Sequence, residues 1–127
     1  MKYLLDTHAV IWHLENSLRL TSRTNAILGN RDNHLCISSI SLWETAIKVN
    51  LGKLKLKLTF NEFLDEIRDS EFVILQIKDE YLRKLAVLPS IHKDPFDRLL
   101  IATALVDNLT IITADENIRK YNVPWNW

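Results

Sequence analysis

Four acidic residues stand where short apolar runs end or begin. Asp6 follows Tyr3-Leu4-Leu5, and Glu44 comes half a dozen residues after Leu35-Cys36-Ile37. Asp97 opens the stretch Leu99-Leu100-Ile101-Ala102, and Asp115 follows Leu109-Thr110-Ile111-Ile112-Thr113. If those runs are parallel strands and a helix start, the four carboxylates meet at one edge of one sheet. Ligands of open α/β sheets bind outside the carboxyl ends of the strands. Converging carboxylates repel one another unless positive charge lies among them. A hard divalent cation, Mg²⁺ or Mn²⁺, prefers oxygen ligands and supports phosphodiester chemistry.

The elements that must position these acids follow from the apolar pattern. Lys2 to Leu5 reads as a buried strand, after which Thr7 caps a helix through Val10, Ile11 and Leu14. A second helix covers Ser22 to Leu28 and stops at Gly29-Asn30. Leu35 to Ser38 is a second strand, and a helix from Ser41 carries Leu42, Trp43, Ala46, Ile47 and Val49 to an end near Gly52. The alternating Lys53 to Lys57 is a short exposed strand or an extended loop. Phe60, Phe63, Leu64 and Ile67 mark an amphipathic helix, Phe72 to Ile77 a third strand, and Asp79 to Leu88 a helix closed by Pro89. After a loop from Ser90 to Asp94, Pro95 opens a helix at its favoured first position and the helix runs to about Asn108. Leu109 to Thr113 is a fourth strand, Asp115 to Lys120 a last helix, and Val123 begins a short edge strand. Strands alternating with helices predict an α/β domain with a mostly parallel sheet.

Each acid also has a purely structural reading. Asp6 suits a turn or cap. Ser41-Leu42-Trp43-Glu44 matches a capping box, and Glu44 with Lys48 forms an i,i+4 pair worth roughly 0.2–0.5 kcal/mol. Asp94 is a natural helix cap, with Asp97 at the third helical position, where the helix dipole favours negative charge. Thr113 and Glu116 make another capping box that leaves Asp115 uncommitted. Caps explain the acids one at a time. They do not explain why Asp6 joins them at the same edge from the other end of the chain, and a metal site does.

Bulk composition narrows the alternatives. The 127 residues suit one compact domain spanning 1–127, and 47% of them are apolar, enough for a core. Sixteen basic and sixteen acidic residues cancel, so the chain does not advertise nucleic-acid binding. If four acids hold metal, sixteen basic residues face twelve acidic ones, which is compatible with a phosphate backbone. The lone Cys36 lies between Leu35 and Ile37 and reads as a buried thiol in a reducing, cytoplasmic compartment. No apolar run approaches the roughly 20 residues that cross a bilayer, and Lys2 followed by Asp6 does not open a signal peptide. His8 and His13 fall on the first helix, His34 reads as a solvated loop residue, and His92 precedes Asp94. No zinc spacing, phosphate-cradling glycine loop or serine-hydrolase elbow occurs.

The order and context of the acids resemble the PIN-domain family, and most closely its VapC-like toxins of type II toxin–antitoxin systems. The residues that carry this are Leu4-Leu5-Asp6-Thr7-His8, then Ser38 to Glu44, Asp94-Pro95-Phe96-Asp97-Arg98-Leu99-Leu100-Ile101-Ala102, and Ile112-Thr113-Ala114-Asp115-Glu116. They span essentially the whole chain. The resemblance implies a three-layer α/β/α domain and an endoribonuclease that uses Mg²⁺ or Mn²⁺. It makes Asp6, Glu44, Asp97 and Asp115 both the metal ligands and the catalytic residues, with Thr7 and Thr113 filling the family's polar positions. It also implies an RNA substrate, a cognate antitoxin protein and a homodimer. Ala114 stands where the family often has a basic residue.

The chemistry expected of such a site is metal-assisted hydrolysis: a water attacks phosphorus in line, the 3′ oxygen leaves, and a 5′ phosphate remains. Arg98, Lys93 and Lys48 are candidate contacts to the RNA backbone. Trp12, Trp43, Trp125 and Trp127 could serve a dimer or antitoxin surface, with core packing the favoured role for Trp43. A phospho-acceptor domain would need an Asp ending the strand Phe72–Ile77, and an Asp-x-Asp phosphatase would need a second acid where Thr7-His8 stands. The remaining alternative is a Mg²⁺-binding signalling or RNA-binding module with this fold but no nuclease activity.

Overall fold

The computed structural model describes residues 1–127. Five strands, β1 (Lys2–Leu5), β2 (His34–Ser38), β3 (Val73–Leu75), β4 (Thr110–Ile112) and β5 (Trp125–Asn126), form one sheet in the order β3-β2-β1-β4-β5. Every pairing is parallel, so the sheet is wholly and not merely mostly parallel. Register runs Leu5 to Ile37 on one side of β1 and Leu5 to Ile112 on the other. The chain builds outward from β1 in one direction through β2 and β3, then restarts on the other side with β4. That reversal opens the crevice between β1 and β4 at their carboxyl ends.

Helices α1 (Thr7–Leu14), α2 (Ser22–Gly29), α3 (Ser39–Asn50), α4 (Phe60–Asp69), α5 (Asp79–Ala86), α6 (Pro95–Asp107) and α7 (Glu116–Arg119) complete the three layers. Side chains alternate across a strand, so each buried strand feeds two cores. Tyr3, Leu5, Ile37 and Ile112 pack with α1 and α4 through Val10, Phe63 and Ile67. Leu4, Cys36 and Ile111 pack on the other face with Tyr81, Leu100 and Ile118 of α5, α6 and α7. Helix α3 touches α1, α4 and α6, and so bridges the two layers. No helix is long and apolar enough to cross a membrane.

Several boundaries differ from the pattern reading. Helix α3 begins at Ser39, because Ser38 ends β2 and itself caps the helix, its hydroxyl accepting the Ile40 N–H at 3.2 Å. Glu44 is thereby moved into the second turn, and the Ser41–Glu44 capping box does not form. The third strand shortens to Val73–Leu75, having β2 alone as its neighbour, and Lys53–Lys57 is an extended loop. The edge strand starts at Trp125 rather than Val123. Three positive-φ residues close helices as expected of left-handed caps: Asn16 (φ 52°) after α1, Gly52 (φ 71°) after α3 and Asn108 (φ 55°) after α6. Trp43 is 59% exposed and not core, since α3 turns Ile40, Ser41, Leu42, Glu44 and Thr45 inward instead.

Leu100 is fully buried on α6, the helix that carries Asp97. Leu100→Ala should lower unfolding free energy by about 2–5 kcal/mol. The check is a lower urea midpoint with an unchanged denaturant slope.

Candidate active site

Four helix N-termini converge on the carboxyl edge of the sheet. Asp6 follows β1 directly; its backbone N–H continues the β1–β4 ladder to the Ile112 carbonyl at 3.1 Å, and its carboxylate caps α1 by accepting the Ala9 N–H at 2.8 Å. The cap of α1 is therefore Asp6 and not Thr7, which lies inside the helix. The same logic places Asp115 at the cap of α7, where it accepts the Asn117 N–H at 2.8 Å. Thr113 accepts the Asp115 N–H at 3.0 Å, so the Thr113–Glu116 box is replaced by two successive turns and Asp115 is committed. Asp94 caps α6 through the Phe96 and Asp97 N–H groups, with Pro95 at the first helical position and Asp97 at the third. Glu44 reaches the same region from α3.

Thr7 links two of these elements. Its hydroxyl donates to Glu44 Oε1 at 2.6 Å and lies 3.0 Å from the Ser41 hydroxyl, tying α1 to α3 in a buried contact. The second oxygen of Glu44 meets Lys48 Nζ at 2.6 Å, the expected i,i+4 pair. Burial pulls the Lys48 ammonium down, but the hydrogen bond and charge of Glu44, with Asp94 and Asp97 beyond, more than offset this and hold it above its usual value. His92 Nε2 lies 2.9 Å from Asp97 Oδ2.

The acids feel one another. Burial pushes the Asp6 carboxyl from 3.8 to about 6; Thr113 and the Ala9 N–H work against this, and the charges of Asp115 and Glu44 reinforce it. Asp97 also rises to about 6, chiefly from burial, with His92 opposing and Asp94, Glu44 and Asp115 adding repulsion. The four predicted carboxylates thus share one field, yet no three of them bring ligand atoms within 4.8 Å of one another. The trio that does is His92, Asp94 and Asp97. Each of the four is turned onto its own donor, which is the arrangement that mutual repulsion favours.

The residues present suit a divalent cation. Asp6, Glu44, Asp94, Asp97 and Asp115 supply oxygen donors, and only Lys48 and His92 are paired with them. Negative charge in excess of positive, in a partly buried, oxygen-lined crevice, matches the preference of Mg²⁺ or Mn²⁺.

Three residues outside the sequence-based site emerge here. His92 and Asp94 join Asp97 because the loop before α6 folds back on it, which spacing alone does not reveal. Arg19 comes from an irregular turn and lines a pocket with Asp6 and Asp115. Arg98, by contrast, is engaged within the protein. Its guanidinium donates to the Pro89, His92 and Leu88 carbonyls and to the Tyr121 hydroxyl at 3.0–3.3 Å. Tyr121 in turn accepts the His92 N–H at 2.9 Å and donates to the Pro89 carbonyl at 2.8 Å. The pair pins the loop that presents His92 to Asp97. Lys93 is exposed on that loop, and Lys48 stands at the rim.

An all-parallel sheet with acids gathered at its switch point defines the class. A sequence profile of the PIN domain matches residues 3–124, and the chain belongs to the PIN-domain family. Among characterised proteins it is similar to ribonuclease VapC22 of Mycobacterium tuberculosis, 24% identical over 121 residues that cover 95% of this chain and 92% of that protein. Its fold is that of VapBC2 from Rickettsia felis, solved bound to a promoter DNA fragment, with a TM-score of 0.75, 22% identity and coverage of 100% and 99% of the two chains. DNA-bound VapBC from Salmonella typhimurium (TM-score 0.70, 18% identity, 99% and 97% covered) shares it. So does FitAcB from Neisseria gonorrhoeae (TM-score 0.68, 22% identity, 98% and 96% covered).

The raised carboxyls give a signed pH dependence. Asp6 and Asp97 bind protons more tightly folded than unfolded, so their contribution to stability is fully present below pH 3.8 and is lost as pH rises through about 6. Taken alone, a carboxyl raised this far loses roughly 2–3 kcal/mol across that window. Metal-free Asp97→Asn should accordingly melt as high as wild type or higher at pH 7, with the difference vanishing near pH 4. Paired thermal melts in chelator across this pH range provide the measurement.

Proposed function

We propose that this protein is a divalent-metal-dependent endoribonuclease and the toxin of a type II toxin–antitoxin pair, its 127 residues working as one unit. The observation that carries the reading is the gathering of Asp6, Glu44, Asp97 and Asp115, with two carboxyls raised to about 6, at the switch point of a PIN-domain sheet. Similarity to ribonuclease VapC22 supports ribonuclease activity, and structural likeness to VapBC complexes supports an antitoxin partner.

Asp6, Glu44, Asp97 and Asp115 would hold the ion, with Mg²⁺ or Mn²⁺ the best match to their oxygen donors. Such an ion, when bound, acidifies water and neutralises charge developing on the phosphate. The protein's own groups set the stage for that chemistry. Thr7 and Lys48 fix both oxygens of Glu44. His92 orients Asp97, and Thr113 holds the turn that aims Asp115. Lys48 and Lys93 offer positive charge to the flanking phosphates from the rim. Water attacks phosphorus in line, the bond to the 3′ oxygen breaks, and the products are a 3′ hydroxyl and a 5′ phosphate. Unpaired RNA fits best, because its backbone and bases are accessible.

The antitoxin is expected to cover the acidic crevice or to insert a basic side chain, offsetting the same repulsion that metal offsets. Exposed Trp43 and Trp125 offer apolar area for that partner or for a second copy of the chain.

Cleavage of single-stranded RNA should require Mg²⁺ or Mn²⁺ and stop in excess chelator. Asp97→Asn should remove more activity than the roughly 10–100-fold that loss of a supporting hydrogen bond around a metal costs. Undiminished cleavage by the variant would leave Asp97 as a first-turn acid of α6 with no part in catalysis. Complex formation with the product of an adjacent gene, measured as mass in solution, tests the toxin assignment separately.

A further inference from the structure

Beside the carboxylates lies a pocket of about 220 Å³ whose walls are Asp6, His8, Trp12, Arg19, Ala114 and Asp115. Two of its walls belong to the candidate catalytic crevice, and the others are unlike it. His8 and Trp12, one helical turn apart on α1, have ring centroids 5.5 Å apart, and Trp127 continues the series at 5.7 Å from Trp12. The turn after α1 places the exposed Arg19 guanidinium over the Trp12 ring at 5.3 Å. Asp6 and Asp115 are close by, yet Arg19 has no carboxylate within ion-pair distance; its charge rests on the indole face. The pocket therefore presents flat π surfaces and an uncommitted guanidinium at the side of a phosphodiester site.

These walls select the kind of group that enters. A phosphate goes to the ion that Asp6 and Asp115 would hold, and not to the aromatic walls of the pocket. A neutral, flat group is favoured instead, stacked on imidazole, indole or guanidinium, with its polar edge able to reach a carboxylate. Unpaired bases are recognised in this way, by stacking on aromatic rings and arginine planes. Because the pocket shares Asp6 and Asp115 with the crevice, a strand whose phosphate lies at the acids carries a neighbouring base to this point.

We infer that the surface formed by His8, Trp12 and Arg19 is a subsite for one unpaired base of the RNA substrate, next to the phosphodiester at the carboxylates. This rests on the nuclease reading. It adds that recognition of the strand is by a base face as well as by backbone charge.

The test uses a single-stranded RNA oligonucleotide that wild type cleaves, with an abasic site introduced at each position flanking the cleaved bond. One position should raise the wild-type KM by roughly five-fold to a hundred-fold, the scale of one lost base stack, with a smaller change in kcat. Arg19→Ala, His8→Ala and Trp12→Leu should raise KM on intact RNA and add little on the RNA abasic at that position, because both changes remove the same contact. A 2-aminopurine placed there should be quenched on binding to the Asp97→Asn protein, and less so when Trp12 is also replaced. Should Trp12→Leu fail to fold, the exposed His8 and Arg19 variants carry the test. Variants that leave KM unchanged overturn the subsite while the nuclease stands. A KM increase that is the same on intact and abasic RNA assigns Arg19 to backbone charge and overturns it too. Loss of antitoxin binding with unaltered RNA kinetics gives the surface to the protein partner instead. Wild type that neither binds nor cleaves RNA overturns both readings.

Discussion

Like charges held together in a partly buried crevice are the constraint around which this protein is organised. Asp6, Glu44, Asp94, Asp97 and Asp115 reach one edge of the sheet, where burial first and neighbouring negative charge second drive Asp6 and Asp97 toward their protonated forms. Backbone geometry makes the gathering tolerable. Helices α1, α3, α6 and α7 all begin at this edge, capped by Asp6, Ser38, Asp94 and Asp115. Their positive ends and unpaired N–H groups favour anions in the first turn. Asp6 and Asp115 are thus cap and candidate ligand at once, and neither role excludes the other.

The supporting contacts divide by distance from the crevice. Thr7, itself in contact with Ser41, and Lys48 fix Glu44 from α1 and α3. Arg98 and Tyr121 act one step further out, immobilising the loop that brings His92 to Asp97. This gives the Asp-Pro-Phe-Asp-Arg string a physical division of labour. Its first Asp caps α6, Pro95 starts the helix, Asp97 faces the site and Arg98 holds the preceding loop. Phe96 packs edge-on against Trp43, with ring centroids 5.7 Å apart, which covers part of the exposed indole.

Much of this was legible from residue order. The runs Tyr3-Leu4-Leu5 and Thr110-Ile111-Ile112 have the continuous apolar character of strands buried on both faces, and both are strands. Asp94-Pro95 marked the start of α6 because a cap followed by proline has few other uses. What misled was capping chemistry where a strand runs straight into a helix. Ser41 and Glu44 have the spacing of a capping box, but Ser38 takes the role three residues earlier, since β2 leaves no connecting loop. Trp43 was misjudged for a related reason. Helical periodicity cannot foresee that the inward stripe of α3 is given to Ser41, Glu44 and Thr45 at a polar site.

The sequence by itself determined the alternation of strands and helices, the parallel sheet and the acids Asp6, Asp97 and Asp115 placed at element boundaries. These are local properties: apolar period, turn residues and caps act over a few neighbouring positions. Tertiary structure alone decided which side chains share the crevice and how they are engaged. Thr7 meets Glu44 across 37 positions, Tyr121 meets His92 across 29, and Arg19 lines the same pocket as Asp115. Those meetings depend on strand order and on the way the loops fold back over the sheet. Short-range preferences cannot encode them, because each contact joins segments whose only relation is through the packed core.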